Sequence, residues 1–282
     1  MPKKPKGEFT DRKTRKARDE IAYTADSLLQ KGRFELTLTE QRIILYAITK
    51  IKPDDGKFDE YKLKIQDFYD ICGINDESYT DFKKIVHGLQ RKFWWITMED
   101  PHEPGTECES SVNWFTVART NKKSGTFTVM FHPDMKVHLL ELVRQYHENG
   151  TYYTQLPFRY MLPMKSTYAV RLYQLLKSYQ KNNFEWYFPL EKLKRLLDCQ
   201  SYEDFFNFRK RVLEPAVKEI NRFSDIGVSW EITGKEGKRV TEITFRMEEK
   251  DTIDKLDAQR AGLTELDGQI HWWDNDTLDN NV

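Results

Sequence analysis

The chain has little cysteine: three in 282 residues, Cys72, Cys108 and Cys199, odd in number and far apart. That spacing supports neither a disulfide framework nor a metal finger, and it fits a reducing compartment. No apolar run is long enough to cross a bilayer and no signal-peptide core opens the chain, so the expectation is a cytoplasmic protein with no membrane partner. No glycine-rich loop ends in Lys-Ser or Lys-Thr, which removes P-loop chemistry. The six histidines never form a His-x-His pair, so the ligand set of a metal-dependent nicking endonuclease is missing. Tyr152-Tyr153 do not make a nicking site without it. No enzymatic activity, metal or cofactor is expected. Net charge is absent too, because 45 Lys and Arg balance 45 Asp and Glu. That argues against a simple basic domain, since nucleic-acid-binding domains often have a pI above ~9.

The zero is a cancellation. Residues 1–18 carry eight basic side chains against Glu8 and Asp11 (8 − 2 = +6), and residues 251–282 carry eight acids against Lys255 and Arg260 (2 − 8 = −6). Local charge, not the sum, governs attraction to a polyanion. The length allows about two domains, and 39% hydrophobic residues with 13% aromatics supply two small cores. The basic head, without apolar periodicity, reads as a flexible arm over residues 1–22. The acidic segment 251–282 reads as a tail, whose Trp272-Trp273 either dock back on the body or serve a partner.

Between them, one order of elements is traced twice. Thr37 and Glu40 have capping-box spacing ahead of Ile43, Ile44, Leu45, Ala47 and Ile48, which predicts a first helix. Tyr61–Ile65 alternates like a strand, and Gln66–Cys72 continues as a short helix ending at Gly73. Ser78–Arg91 places Phe82, Ile85, Val86 and Leu89 on one stripe. Trp94-Trp95, where that helix passes into a strand, read as core packing rather than base-stacking groups. Two β-rich runs, Val112–Thr120 and Thr126–Phe131, flank a cationic turn, and a helix over Pro133–His147 closes a unit spanning 23–150. Asn149-Gly150, Pro157 and Pro163 predict a non-helical joint.

The second unit, 151–250, repeats the order. Ala169, Leu172, Tyr173 and Leu176 mark a helix, Trp186–Phe188 a strand, and Leu190, Leu193, Leu196 and Leu197 a second helix. A long third helix is predicted over Tyr202–Phe223, then a hairpin with its tip at Gly234–Arg239. Leu45-Tyr46 and Cys72 recur as Leu172-Tyr173 and Cys199 at an offset of 127 (172 − 45). Tyr79-x-x-Phe82 recurs as Tyr202-x-x-Phe205 at 123 (202 − 79), which makes the second copy four residues shorter there.

A groove-reading helix needs an apolar face for the core and a polar face for base edges. In the first unit Lys84, His87 and Arg91 share an outward face, flanked by Lys83 and Lys92. In the second, Asn207, Lys210, Arg211, Glu214 and Lys218 do. Arg and Lys pair with guanine, Asn with adenine and Glu with the cytosine amine, so this mixture suits sequence readout better than a uniform phosphate stripe. Lys122 and Lys123 on one hairpin, and Lys235, Lys238 and Arg239 on the other, suit flanking phosphates or a minor groove. Exposed helix faces are charged by default, so neither face argues alone; helix plus basic wing, twice, favours DNA.

The run Ser166-Thr167-Tyr168-Ala169-Val170-Arg171-Leu172-Tyr173-Gln174-Leu175-Leu176-Lys177 resembles the opening helix of the second winged-helix domain in theta-type plasmid replication initiators. Phe205-x-x-Phe208-Arg209-Lys210-Arg211-Val212-Leu213-Glu214-Pro215-Ala216-x-x-Glu219-Ile220-Asn221, followed by Ser224-Asp225-Ile226, resembles that domain's recognition helix. Leu36–Ile48 is similar to the start of the first domain, and the resemblance spans roughly residues 25–247. It implies an α+β chain of two tandem winged-helix domains with a pseudo-two-fold repeat, a flexible basic N-terminal arm and an acidic C-terminal tail. It also implies a bacterial initiator that binds direct repeats (iterons) in double-stranded origin DNA and helps open the duplex.

By the same resemblance Asn207, Arg209, Lys210 and Arg211 are the expected groove contacts. Pro215 kinks its helix, and the first domain doubles as a dimer interface. Monomers would activate replication and dimers repress the chain's own promoter, with host helicase, primase or host initiator recruited afterwards. A winged-helix transcriptional regulator without an initiation role stays open as the alternative. An origin-processing enzyme is disfavoured by the missing motifs.

Overall fold

In the computed structural model, which describes residues 11–74, 78–100, 102–180 and 184–267, the basic run after Asp11 is helical. Asp11 caps helix α1 (Arg12–Arg18) by accepting from the Thr14 N–H. Thr14 and Arg18, four residues apart, are buried, while Arg12, Lys13 and Lys16 stay outside. Arg18 is 2% exposed. Its guanidinium forms a bidentate pair with Asp267 (2.7 and 2.8 Å) and donates to the carbonyls of Ile71 and Asp70. The flexible arm expected over 1–22 is corrected for residues 11–22: the docking is polar, and apolar periodicity does not register it. Residues 1–10 lie outside the described part.

Strand β1 (Ile21–Ala25), helix α2 (Asp26–Lys31) and strand β2 (Arg33–Phe34) follow. Helix α3 (Leu38–Ile48) starts at the predicted capping box, with Thr37 Oγ1 accepting from the Glu40 N–H and Glu40 from the Thr37 N–H. Strand β3 (Tyr61–Lys64) runs into α4 (Ile65–Cys72), which stops at Gly73 with φ +65°. Helix α5 (Tyr79–Gly88), capped by Ser78, runs on through a 3-10 turn, Leu89–Arg91. Strands β4 (Phe93–Glu99), β5 (Glu107–Asn113), β6 (Phe115–Asn121) and β7 (Thr126–Phe131) come next.

The single run expected over Val112–Thr120 is broken at Trp114, 3% exposed, which plugs the core between β5 and β6. One antiparallel sheet is β2-β4-β5; the other, β3-β7-β6, carries the first wing. Trp94 is buried, as core packing requires, whereas Trp95 is only half-buried and lies under the Arg33 guanidinium, which corrects that expectation for Trp95. The one helix expected over Pro133–His147 is three pieces: a 3-10 turn (Pro133–Met135), α6 (Lys136–Leu139) and α7 (Leu142–Asn149). Glu141 sits at φ +51°, and the N–H groups of Glu141 and Val143 donate to Asp55 and Pro53 instead of continuing a helix.

The joint is not free. Strand β8 (Tyr153–Pro157) pairs antiparallel with β1, and a short α8 (Phe158–Met161) follows with Pro157 as its N-cap. Proline there forfeits no intrahelical bond, which corrects the expectation that the prolines keep this stretch non-helical. Helix α9 (Thr167–Gln180), strand β9 (Glu185–Pro189) and helix α10 (Leu190–Leu196) lead to the third helix. That helix is continuous from Phe205 to Phe223 in three parts: α11 (Phe205–Phe208), a π-helical turn (Arg209–Leu213) and α12 (Glu214–Phe223). It starts at its Asp204 cap rather than at Tyr202. Strands β10 (Ile226–Glu236) and β11 (Arg239–Glu249) form the second wing, in a sheet of order β10-β11-β9.

The described part of the acidic tail is also ordered. Helix α13 (Thr252–Asp267) buries Ala258 and Gly262, with Gly262 against Pro163 and the Leu266 carbonyl pressed on Gly73. Trp272-Trp273 lie outside the described residues. Buried side chains of both halves form one continuous cluster.

Cap-to-cap alignment revises the repeat. Ser78 and Asp204 open the two third helices (204 − 78 = 126). Phe82 and Phe208 then correspond, and both are 0% exposed. The pairing of Tyr79-x-x-Phe82 with Tyr202-x-x-Phe205 is therefore corrected. Against the offset of 127 for Tyr46/Tyr173 and Cys72/Cys199, the second copy is one residue shorter, not four.

Candidate nucleic-acid interface

The third helix of the second half is held at both ends by groups that leave one face open. Phe205 packs edge-on against Trp230 of β10 at 6.3 Å between centroids, which ties the helix start to the wing. At the far end Asn221 bridges to Val228, its Nδ2 donating to the carbonyl (2.8 Å) and its Oδ1 accepting from the N–H (2.6 Å). Glu219 accepts from the N–H groups of Lys165 and Ser166 (3.0 and 3.1 Å), satisfying donors at the start of α9. Asp225, mostly buried, takes the Tyr173 hydroxyl at 2.9 Å and the Lys177 ammonium at 3.0 Å. Burial and that carboxylate raise the Tyr173 hydroxyl well above its usual range. Ser224 donates to the Ile220 carbonyl at 2.8 Å.

Sequence periodicity explains the π turn. Phe208, Val212, Ala216 and Ile220 are each 0% exposed, a run of three consecutive four-residue steps. An α-helix gains about 40° per such step, so the last would lie about 120° off the first. The wider π turn at Arg209–Leu213 removes that drift, immediately before Pro215, which has no N–H to give. Where a kink was expected at Pro215, the helix carries a π turn just ahead of the proline. In α5 and its 3-10 extension the buried positions are Phe82, Val86 and Leu89, a four-then-three spacing that stays on one face without a π turn.

What remains outward is polar and mostly cationic. Lys210, Arg211, Glu214 and Lys218 are exposed, and across residues 205–223 five basic side chains face two acids (5 − 2 = +3). Among the described residues Arg211 and Lys218 have no acidic partner. Asn207 is engaged with its own cap: Asp204 accepts from its N–H at 2.8 Å and from its Nδ2 at 2.6 Å. Those bonds hold the Asp204 carboxyl below its usual range. The Arg209 Nε lies 3.4 Å from Glu214. Lys235 and Lys238 are exposed at the wing turn, where Gly237 takes φ +58°. Arg239 lies 3.5 Å from Glu191.

In the first half Lys84 and Arg91 are exposed on α5 and its 3-10 extension, and Lys84 sits 3.1 Å from Asp81. His87 is half-buried, its Nε2 3.3 Å from Thr120 Oγ1 on β6; it faces the wing strand more than the open face. Lys122 and Lys123 are exposed in the β6–β7 turn. Sequence reasoning missed Phe206, which is 57% exposed on the open face of α11. It also missed Arg171 and Lys194, which are 3% and 2% exposed. Lys194 donates to the Glu203 carbonyl at 3.0 Å and lies over the Phe208 ring, fixing the turn that launches α11. Periodicity could not signal either, because both sit at apolar-looking positions on their helices. Among the described residues no three His, Cys, Asp or Glu side chains gather as a metal site, and no helix is long and apolar enough to cross a membrane.

A family model described as "Initiator Replication protein, WH1" matches residues 22–177, and one described as "Initiator Rep protein, WH2" matches 189–247. The first match runs into α9, past residue 150. Among solved structures, the Pi initiator protein in complex with iteron DNA is similar at a TM-score of 0.63 and 17% identity, over 83% of this chain and 99% of that one. Domains 2 and 3 of RctB match at a TM-score of 0.44 and 11% identity, over 77% of this chain and 85% of that one.

Proposed function

The chain belongs to the initiator replication protein family, with its two winged-helix domains in tandem, and on that premise we propose that it binds directly repeated sites in a plasmid origin. The observation that carries the reading is the open face of the third helix, Lys210, Arg211, Glu214 and Lys218, anchored beside a basic wing. Recognition helices present such a face to the major groove, with their N-terminal residues at base edges. The first domain's Lys84, Arg91, Lys122 and Lys123 supply a second contact along the same duplex, with His87 a lesser one held toward its wing. Asn207 joins the readout by exchanging its Asp204 bond for an adenine edge, and Arg209 by releasing Glu214. Lys235, Lys238 and Arg239 hold flanking phosphates.

Function follows from binding. Copies on neighbouring repeats bend the duplex, at a deformation cost of about 1–6 kcal/mol per site that base and phosphate contacts offset, and the strain assists opening of adjacent A·T-rich DNA. Monomers start replication; dimers joined through the first domain repress the chain's own promoter; host helicase, primase or host initiator enters afterwards. The test is a footprint of the purified protein on DNA flanking its gene at physiological salt. Regular protection of direct repeats is expected. A single protected inverted repeat at a promoter, with no replication of an origin-only plasmid supplied with the protein in trans, would make it a repressor instead.

A further inference from the structure

Phe205-Phe206-x-Phe208 opens the third helix with three phenylalanines, and two have an intramolecular place. Phe208 is 0% exposed in the core, and Phe205 lies against Trp230. Phe206, one residue on and about 100° around the helix, is 57% exposed. It stands on the second position after the Asp204 cap, in the first turn, where a recognition helix meets base edges. Its ring is flanked by cations: the Arg209 guanidinium carbon is 5.8 Å and the Lys210 Nζ 5.5 Å from the ring centre. These two cations flank one apolar disc. A large apolar ring held out to water between two cations suits a partner that is polyanionic outside and apolar at one point. Duplex DNA offers that combination in the major groove, where the thymine C5 methyl is the apolar group on a base edge.

We propose that Phe206 is a specificity-determining residue that reads a thymine methyl group, while Arg209 and Lys210 hold the ring upright and swing to phosphate or guanine on binding. The proposal rests on the third helix entering the major groove. It adds an apolar term to a readout otherwise made of hydrogen bonds, and it predicts a thymine dependence that no polar contact explains.

The test replaces each thymine of the footprinted site, one at a time, by deoxyuridine, which removes the methyl and leaves base pairing and the hydrogen-bonding edge intact. One position per repeat is expected to lose affinity by about three- to tenfold, the scale of one buried methyl group. Phe206→Ala is expected to bind thymine and uracil versions of that position equally, and Phe206→Leu to keep part of the difference. Because Phe206 is exposed, the variant should melt like the parent, and a thermal scan checks this. A variant that keeps the parent's thymine preference, or a parent indifferent to every methyl, overturns the proposal while leaving specific binding standing. A change in oligomeric state without a change in thymine preference also overturns it, by giving Phe206 to a second copy. Absence of any sequence-specific footprint sinks the major-groove reading and the proposal together.

Discussion

Arg171 joins the two halves of the molecule, and replacing it with methionine should uncouple them. The side chain projects from α9 and is 3% exposed. Its Nη2 donates to the carbonyls of Leu29 (2.8 Å) and Gly32 (2.6 Å) at the end of α2, and its Nε to Leu196 (3.3 Å) at the end of α10. These are C-terminal carbonyls, which lack intrahelical donors, and the guanidinium also lies over the Phe34 ring at 4.8 Å. Burial lowers its pKa to about 10, so it stays charged at neutral pH. Methionine fills similar space but leaves three carbonyls unmet, at about 1–3 kcal/mol each. Relief of the buried charge offsets part of that. The expected net loss is on the order of 2–4 kcal/mol. Since the core is continuous, the parent should unfold in urea as one transition followed by tryptophan fluorescence. Arg171→Met should show two, because α2 and α10 lose their shared donor. Arg171→Lys, which keeps charge but not the fork, should fall between. A single transition shifted by less than about 1 kcal/mol would refute the reasoning, placing the coupling in apolar packing alone.

Three further outcomes follow from the same geometry. His138 is buried against Trp94 and within 3.2 Å of Ser27 Oγ, and burial depresses its pKa from 6.5 to about 4; because the folded state prefers it neutral, its contribution is present above pH 6.5 and lost as pH falls toward 4. That loss is on the order of 3 kcal/mol, so His138→Gln should flatten the acid limb of a stability profile between those values, and an unchanged limb counts against burial as its cause. Gly73→Ala places a Cβ 2.6 Å from the Leu266 carbonyl at a φ of +65°, costing about 1–3 kcal/mol and reducing amide-exchange protection in α13; unaltered protection there would mean that α13 docks by other contacts. Arg211→Ala should weaken cognate binding by about 1–3 kcal/mol, and an equal loss on scrambled DNA would reassign Arg211 to a phosphate.

Much of the fold was legible because its signals are local. Thr37–Glu40, Gly73 and the alternation of Ile226, Val228 and Ile243, Phe245 each name an element by short-range chemistry, and each element is present. What escaped depends on contacts far apart in sequence. Arg18 and Asp267 are 249 residues apart (267 − 18), and that pair ties the helix of the basic run to the end of the helix in the acidic one. Neither segment carries an apolar stripe, so periodicity reads both as free. Strand β8 has the same character, since it exists by pairing with β1 from the far end of the first domain. The π turn was not anticipated either, although three successive four-residue steps from Phe208 to Ile220 drift by about 120° on a regular α-helix.

The candidate site divides along the same line, and the division explains what a motif preserves. In the stretch from Phe205 to Ile226, Glu219, Asn221, Ser224 and Asp225 look like groove-reading polar groups. Each is bonded to the protein's own scaffold: to the start of α9, to β10, to the Ile220 carbonyl, and to Tyr173 and Lys177. They aim the helix; they do not present a base-reading atom. On the DNA-binding reading proposed above, the groups available to meet bases are the exposed ones with few internal ties, Lys210, Arg211, Lys218 and Phe206. On the same reading the anchors set the angle at which the helix would meet DNA, so their loss should weaken every site together. The free face fixes which bases it meets, so its changes should redistribute affinity among sites at nearly constant fold stability. A binding series on cognate and altered repeats separates the two groups, and Asn207, tied to Asp204 yet placed at the helix start, is the residue whose behaviour tests where the line falls.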